Sequence, residues 1–454
     1  MSKKITLSLA GFVALSSFAS LNAVSLEDAI KNVDFTGTLR YRYDTFREKG
    51  AAEQTDSQLH KMRAQLGAAA NIGDGLKVVG MLDYNYDGAA DDGGYGAGSS
   101  TKTNQPFYLR EAYLQYDAAD YGTSIMLGRQ SLNTIWTDND IDGSVGMVGK
   151  IINQSLEGVT LAAFAVDSVN NDGDFVGAGS RPEWSQGDGT RPTRPGITTT
   201  VVDQNDDPTG EIITGKYDDL KDAIFSNNIY GAAAIIDYSE QAGVTGQLWV
   251  GYVPNRTTLV AVDAGYTLAI TDQLNWGLQA QYLGNISDDY LKNHGVESGS
   301  LYTIAGTLEG YGFDGTLGYT AYGRDDSITF NVLEDMGDII TAGEEIQNTD
   351  GSSLHGSLGK NQFVFASAGY TFNDIVRIGA DYVYGSTKIW ENIQDRSAAG
   401  KKQEIVGRVD YNYSEKLVFS GFYSYITQKS DYLSNRGYDD PKQNNIRFQA
   451  EYKF

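Results

Sequence analysis

Between Leu127 and Gly143 the chain reads LGRQSLNTIWTDNDIDG, which packs Asp138, Asp140 and Asp142 into five positions just before a glycine. Carboxylates at alternate positions can converge on one cation, and the order Asp138, Asp140, Asp142, Gly143 matches the first half of an EF-hand loop. The closing Glu is missing, because Gly149 stands at the twelfth position, so the full motif fails. A looser oxygen site would need ligands from other loops, and Asp172, Asp174, Glu334 and Asp335 are candidates. Two other readings stay open: an acidic loop that bends into a water-filled passage and narrows it, or an acidic surface loop that is simply solvated. Opposing these acids are cations that occupy one phase of alternating segments: Arg40, Arg42, Lys61, Arg63, Arg377, Arg408 and Arg447.

Other chemistry has little to work with. The chain of 454 residues has no Cys and only three His, His60, His294 and His355. That composition excludes disulfide frameworks, thiolate metal sites and Cys nucleophiles. None of the three His sits in a nucleophile setting, and no His pair has zinc spacing or glycine loop the form of a phosphate cradle. An enzyme is therefore not expected. A formal net charge of −24 argues against nucleic acid, whose binding needs a basic face.

The elements that must position these charges are read from alternation. From Ile446 to the end, Ile446, Phe448, Ala450, Tyr452 and Phe454 are apolar while Arg447, Gln449, Glu451 and Lys453 are polar. The same period of two runs through Leu39 to Asp44, Val376 to Tyr384 and Ile405 to Tyr413, and more loosely through Leu417 to Tyr425, where Val418 and Phe422 break the polar phase. Period two is the mark of a strand with one wet and one apolar face. Tyrosine gathers at one end of these segments, as an interfacial girdle requires.

Connections alternate between short ones, such as 72–75, 311–313, 373–374 and 414–416, and long ones, such as 88–105, 168–226, 324–360 and 387–401. Eighteen strands are predicted, starting near residues 34, 58, 76, 106, 122, 144, 158, 227, 246, 258, 274, 300, 314, 361, 375, 402, 416 and 442. The fold class is thus an all-β transmembrane antiparallel β-barrel with nine longer loops outside, one of them an inward constriction loop near 131–143. A secreted β-sandwich with buried apolar faces is the soluble alternative. A solenoid is not, since no fixed repeat is present.

Residues 1–23 carry Lys3 and Lys4, an apolar run from Ile5 to Phe18 and a short ending at Ala23, the order of a secretory signal peptide. Its removal would leave the barrel at 24–454 and take the charge from −24 to −26, two lysines fewer. No later segment has about 18 consecutive apolar residues, so no transmembrane helix is expected. Barrel closure would set the last strand beside the first and gather the seven cations into one basic wall facing the acidic loop, or pair them with Asp44, Asp381, Asp410 or Glu451 on neighbouring strands.

The chain resembles the major outer membrane porin family of Campylobacter and its relatives. The resemblance rests on LRYRYDT (39–45), DGGYGA (92–97), IWTDNDIDG (135–143), VTLAAFAVDS (159–168), IYGAAA (229–234), AGEEI (342–346), GYTFNDIVRIGADYVYG (369–385) and the final Tyr452-Lys453-Phe454. It implies an eighteen-stranded barrel in the bacterial outer membrane, surrounded by outer-membrane lipid and assembled as a homotrimer. It also implies passive diffusion of small hydrophilic solutes and ions, with some preference for cations. A calcium ion near the constriction is implied as well, with Asp142 the first ligand candidate, Glu334 the next, and Asp172 or Asp174 the third. The loop Arg181 to Pro195 departs from the family, so adhesive properties do not follow; a surface barrel with a closed lumen is the competing reading.

Overall fold

A computed structural model describes residues 33–49, 54–87, 105–169, 198–202, 208–213, 224–225, 227–293, 295–391, 393 and 396–454. The expected signal segment 1–23, Asp172, Asp174, His294 and the stretch 181–195 lie outside the described residues.

The strands follow in chain order: β1 (Val33–Lys49), β2 (Gln54–Gly73), β3 (Leu76–Asp87), β4 (Tyr108–Ala118), β5 (Thr123–Ser131), β6 (Val145–Leu156), β7 (Val159–Val169), β8 (Thr198–Val202), β9 (Pro208–Ile213), β10 (Ile229–Tyr238), β11 (Val244–Val253), β12 (Thr257–Thr271), β13 (Leu274–Ser287), β14 (Ser300–Gly310), β15 (Phe313–Thr329), β16 (Ser357–Phe372), β17 (Val376–Lys388), β18 (Gly400–Asn412), β19 (Leu417–Lys429) and β20 (Lys442–Lys453). β8 and β9 pair only with each other, as a hairpin inside the connection from β7 to β10. The other eighteen form one antiparallel sheet in which each strand pairs with its chain neighbours. All eighteen begin within four residues of the expected positions.

The sheet closes where β1 meets β20, with Arg40 opposite Glu451, Asp44 opposite Arg447 and Thr38 opposite Lys453. The seam runs to the last residue: Gly37 N donates to Phe454 O at 3.1 Å and Phe454 N donates to Gly37 O at 3.0 Å. Closure leaves no sheet edge.

Burial is inverted relative to a soluble sandwich. On β1 Arg40 and Asp44 are 4% and 5% exposed, while Leu39 and Tyr41 between them are 43% and 39% exposed. On β20 Ile446 and Phe448 are both exposed. A sandwich would bury those apolar rows against a second sheet; here they face outward over the whole wall, as a lipid-facing surface must. The sandwich reading therefore falls. Phe422, which broke the alternation, points inward, and the Arg447 guanidinium lies 5.3 Å from its ring centroid, a cation–π contact.

Two connections fold into the lumen. Residues 132–144, between β5 and β6, are the expected constriction loop. The stretch 330–356, between β15 and β16, was expected outside and instead lies inside. Its Phe330, Val332, Leu333, Ile346 and Leu354 are buried in one apolar cluster with Leu132, Ile135 and Trp136 of the first loop. The physical reason is plain: that many apolar side chains gain more by burial than by staying in water. The backbones join as well, with Leu333 N donating to Trp136 O at 2.8 Å and Asp338 N to Ile135 O at 3.0 Å.

Candidate functional site

β1 and β2 set Arg40 directly opposite Arg63, and Arg42 directly opposite Lys61. Like charges in direct cross-strand register repel, so the row needs an anion, and the constriction loop supplies it. Asp142 accepts from Arg40 Nη1 and Nη2, each at 2.6 Å, and from Arg63 Nη1 at 2.5 Å, with Arg42 Nη2 at 3.8 Å. Burial would raise the Asp142 carboxyl, but the hydrogen bonds and charge of Arg40, with Arg63 and Arg42, outweigh it and hold it well below the usual carboxylate range.

Two more wall groups fasten the same loop. Gln65 Nε2 donates to Ile141 O at 3.1 Å and Arg110 Nη2 to Gly143 O at 2.5 Å. Asp83 on β3 accepts from Arg63 at 2.6 Å and lies 3.6 Å from Arg110. Gly143 is required here, because a Cβ would stand 2.2 Å from the Asp138 carbonyl oxygen.

The three loop acids thus have different roles. Asp142 is clamped to the wall. Asp140 is exposed and makes no ion pair among the described residues. Asp138 lies by the second loop, its N–H donating to Glu334 Oε2 at 3.1 Å. Glu334 also accepts from Ser144, at 3.2 Å from the backbone N–H and from the hydroxyl. Burial, together with the charges of Asp335, Asp140 and Asp142, pushes Asp138 up to about 6. Burial, with the charge of Asp138, pushes Glu334 up to about 7.

Three more of the expected wall cations are paired with carboxylates. Arg447 Nε donates to Asp44 at 2.6 Å. Arg408 bonds Asp381 and lies 2.8 Å from Glu344 of the second loop. Arg377 bonds Asp314 at 2.6 Å and lies 3.6 Å from Asp410. Glu451 pairs with Lys453 instead.

Sequence reasoning missed the residues that hold the second loop. Glu404 of β18 is fully buried and accepts from the backbone N–H groups of Glu344, Glu345 and Ile346 at 3.0 to 3.2 Å and from Ser424 Oγ at 2.5 Å. Asp381 accepts from Gly343 N at 3.2 Å. Lys402 Nζ donates to Asp350 O at 2.6 Å and Ser352 Oγ at 2.7 Å. The signal that could have found them is an inward-phase acid or lysine with no complementary charge opposite it.

Burial, with the charges of Glu404, Glu344 and Asp335 and against that of Arg447, pushes Glu345 up to about 8. A carboxyl raised on folding binds more protons in the folded chain than in the unfolded one, where Glu titrates near about 4.3. Stability from this group is present at low pH and is lost as pH rises through about 8. The melting temperature of the refolded barrel should therefore fall between about pH 5 and pH 8, and Glu345→Gln should flatten the slope. A Glu345→Gln slope equal to the parent's would refute this assignment.

Calcium requires several converging oxygens free of competing cations. Asp142 gives its oxygens to two guanidinium groups, and both Glu334 oxygens already accept hydrogen bonds. Among the described residues no three carboxylate or imidazole side chains converge in a metal-holding group. A calcium ion at Asp142, as the resemblance implied, would have to compete there with Arg40 and Arg63.

The family described as Campylobacter major outer membrane protein matches residues 2–454. No curated protein matches the chain. Solved structures that resemble it include OpdL of Pseudomonas aeruginosa, at 13% identity and a TM-score of 0.61, covering 93% of this chain and 99% of that one. OccAB3 of Acinetobacter baumannii has 12% identity and a TM-score of 0.62, with 93% and 99% covered. OpdK of Pseudomonas aeruginosa has 12% identity and a TM-score of 0.57, with 93% and 98% covered. The Opd barrels are monomeric eighteen-stranded barrels, which corrects the homotrimer expected above. The wall itself closes within one chain, where β1 pairs with β20. The barrel has the porin-type eighteen-stranded fold of the bacterial outer membrane, and the chain that forms it belongs to the Campylobacter major outer membrane protein family.

Proposed function

We propose that the chain is a passive diffusion channel for small hydrophilic solutes and ions, with a preference for cations. The observation that carries the reading is the division of charge inside the barrel. The wall arginines Arg40, Arg63, Arg377, Arg408 and Arg447 are each committed to a carboxylate within hydrogen-bonding distance. Asp140 and Asp338 on the inward loops are exposed and make no ion pair among the described residues. A permeating cation meets carboxylates not already balanced by the wall, and a narrow low-dielectric passage strengthens that preference.

Purified, refolded barrel in a planar bilayer is expected to give discrete ohmic steps, with a reversal potential of cation-selective sign in a salt gradient. Asp140→Asn with Asp338→Asn should move that potential toward zero. An anion-selective sign would remove the cation preference. Properly folded barrel that conducts nothing would favour the closed-lumen surface reading. A chelator arm in the same recording reads whether a divalent ion joins the passage; on the Asp142 geometry the trace stays unchanged.

A further inference from the structure

The outer face of the barrel carries a charge pattern that the pore does not use. At the loop-side ends of six consecutive strands, β16 to β20 and then β1, the terminal outward residue is a lysine: Lys360, Lys388, Lys401, Lys429, Lys442 and Lys49. All six are exposed. Their inward neighbours Asn361, Thr387, Lys402 and Gln428 are buried, which fixes the phase. Lysines 401 and 402 therefore act on opposite sides of the wall, the second pinning the lumenal loop and the first facing outward.

The register pairs them directly. Lys360 stands opposite Lys388, Lys401 opposite Lys429, and Lys442 opposite Lys49. Between these pairs the row steps by two residues: Lys401 lies opposite Ser386, and Lys442 opposite Thr427. Two residues are about 7 Å along a strand and two strands are about 10 Å across, a slope of about 35°. That is the tilt expected of strands in such a barrel, so the step keeps the lysines level with the membrane.

Direct cross-strand lysine pairs repel, and the protein does little to neutralise them. Lys49 lies 2.8 Å from Asp439 and Lys388 3.5 Å from Asp325. The other four make no ion pair with a described residue, though the charge of Lys442 also acts on Asp439. Around the barrel, the outward residues near the same ends of β11, β13 and β14 are Tyr252, Ile286 and Tyr302, so the row does not extend to those strands. In a chain of net charge −24 it is a local reversal of sign.

Beneath the lysines the outward face changes in tiers. On β16 to β20 the next outward residues are Gln362, Ser386, Gln403, Thr427 and Asn444, and those below them Val364, Tyr384, Ile405, Tyr425 and Ile446, while on β1 the next is Arg47, paired with Asp56. Cation, then neutral polar, then apolar is the order of phosphate, linkage and acyl chain along a lipid that stands beside the wall.

We propose that this arc is a binding surface for the phosphate groups of an anionic lipid of the outer leaflet. The lipid's phosphates bridge the lysine pairs, and its chains lie along the apolar tier of β16 to β20. The surface adds a specific lipid contact to the barrel and is independent of what passes through the lumen.

The test uses the full chain refolded into phosphatidylcholine vesicles containing a minor fraction of diphosphorylated lipid A, or of the same lipid with its phosphates removed. After extraction in mild detergent, lipid bound per barrel is counted by native mass spectrometry. The parent should retain the phosphorylated lipid and not the dephosphorylated one. The variant K360Q/K401Q/K429Q/K442Q should retain about tenfold less or lower, with single-channel conductance unchanged because these side chains point away from the lumen. Equal retention of the two lipids by the parent, or equal retention of phosphorylated lipid A by parent and variant, would overturn the proposal. Should the variant not fold, the comparison of the two lipids on the parent decides alone.

Discussion

Asp142→Asn is expected to cost about 3 kcal/mol of stability, because it leaves two buried guanidinium groups in direct register without their shared anion. Arg40 and Arg63 are each nine-tenths buried or more, and both bond Asp142 at 2.5 to 2.6 Å. Asparagine keeps the shape but accepts from only one of its two terminal atoms and carries no charge. The loop 132–144 should then loosen from β1 and β2, and the lumenal wall should become more positive by one charge. In thermal unfolding the variant should melt well below the parent, and its reversal potential should shift toward anions. Arg40→Gln in the Asp142→Asn background should cost much less than Arg40→Gln alone, since the pair is one unit. Additive costs would show that Asp142 does not hold the wall in this way.

Glu404→Ala should have a comparable effect by a different route. One carboxylate there satisfies three successive backbone N–H groups of the second loop and the Ser424 hydroxyl. Its removal strands buried donors, each worth about 1–3 kcal/mol. The nearby Gly343, at a φ of +89° with a would-be Cβ 2.3 Å from Glu404 Oε2, shows how closely the backbone is drawn to that group. Loss of the anchor should free 342–346 from β18, raising open-channel noise and the rate of proteolytic cleavage within 330–356. Gln should rescue only part, because its amide NH₂ would face N–H donors. A cleavage pattern like the parent's would contradict the anchoring role.

The strands were legible because a barrel wall imposes one rule on every residue: alternate faces meet lipid and water. Ile446 to Phe454 or Val376 to Tyr384 can obey that rule in only one phase, and the exception at Phe422 proved to be a ring set against Arg447. Asp44, Asp381 and Asp410 were legible as possible partners of the wall arginines, since near neighbours in a closed meander are few, but Asp314, which Arg377 bonds at 2.6 Å, was not. The loops follow no period. Whether 324–360 lay outside or inside depended on Phe330, Leu333 and Ile346 finding Ile135 and Trp136, a contact across nearly two hundred residues that no local pattern encodes. Spacing singled out Asp138, Asp140 and Asp142 together and the resemblance put Asp142 first, yet its partners came from the register of β1 on β2. Next to Arg40 and Arg63 the acid serves as a counter-ion. Glu404 and Asp83 left no mark in sequence beyond the strand phase.

The seam at β1 and β20 also has a consequence in time. Twelve residue pairs there join the first barrel strand to the last, at sequence separations near four hundred, and the clamp on Asp142 depends on β1 being held in place. Loop-closure entropy rises only slowly with length, but contacts this distant are made late. Until Phe454 arrives, β1 has one free edge and the arginine row has one flank missing. The pairing of the final strand with the first is thus the latch of the cylinder: only once it forms are the wall and its inner charge lattice complete.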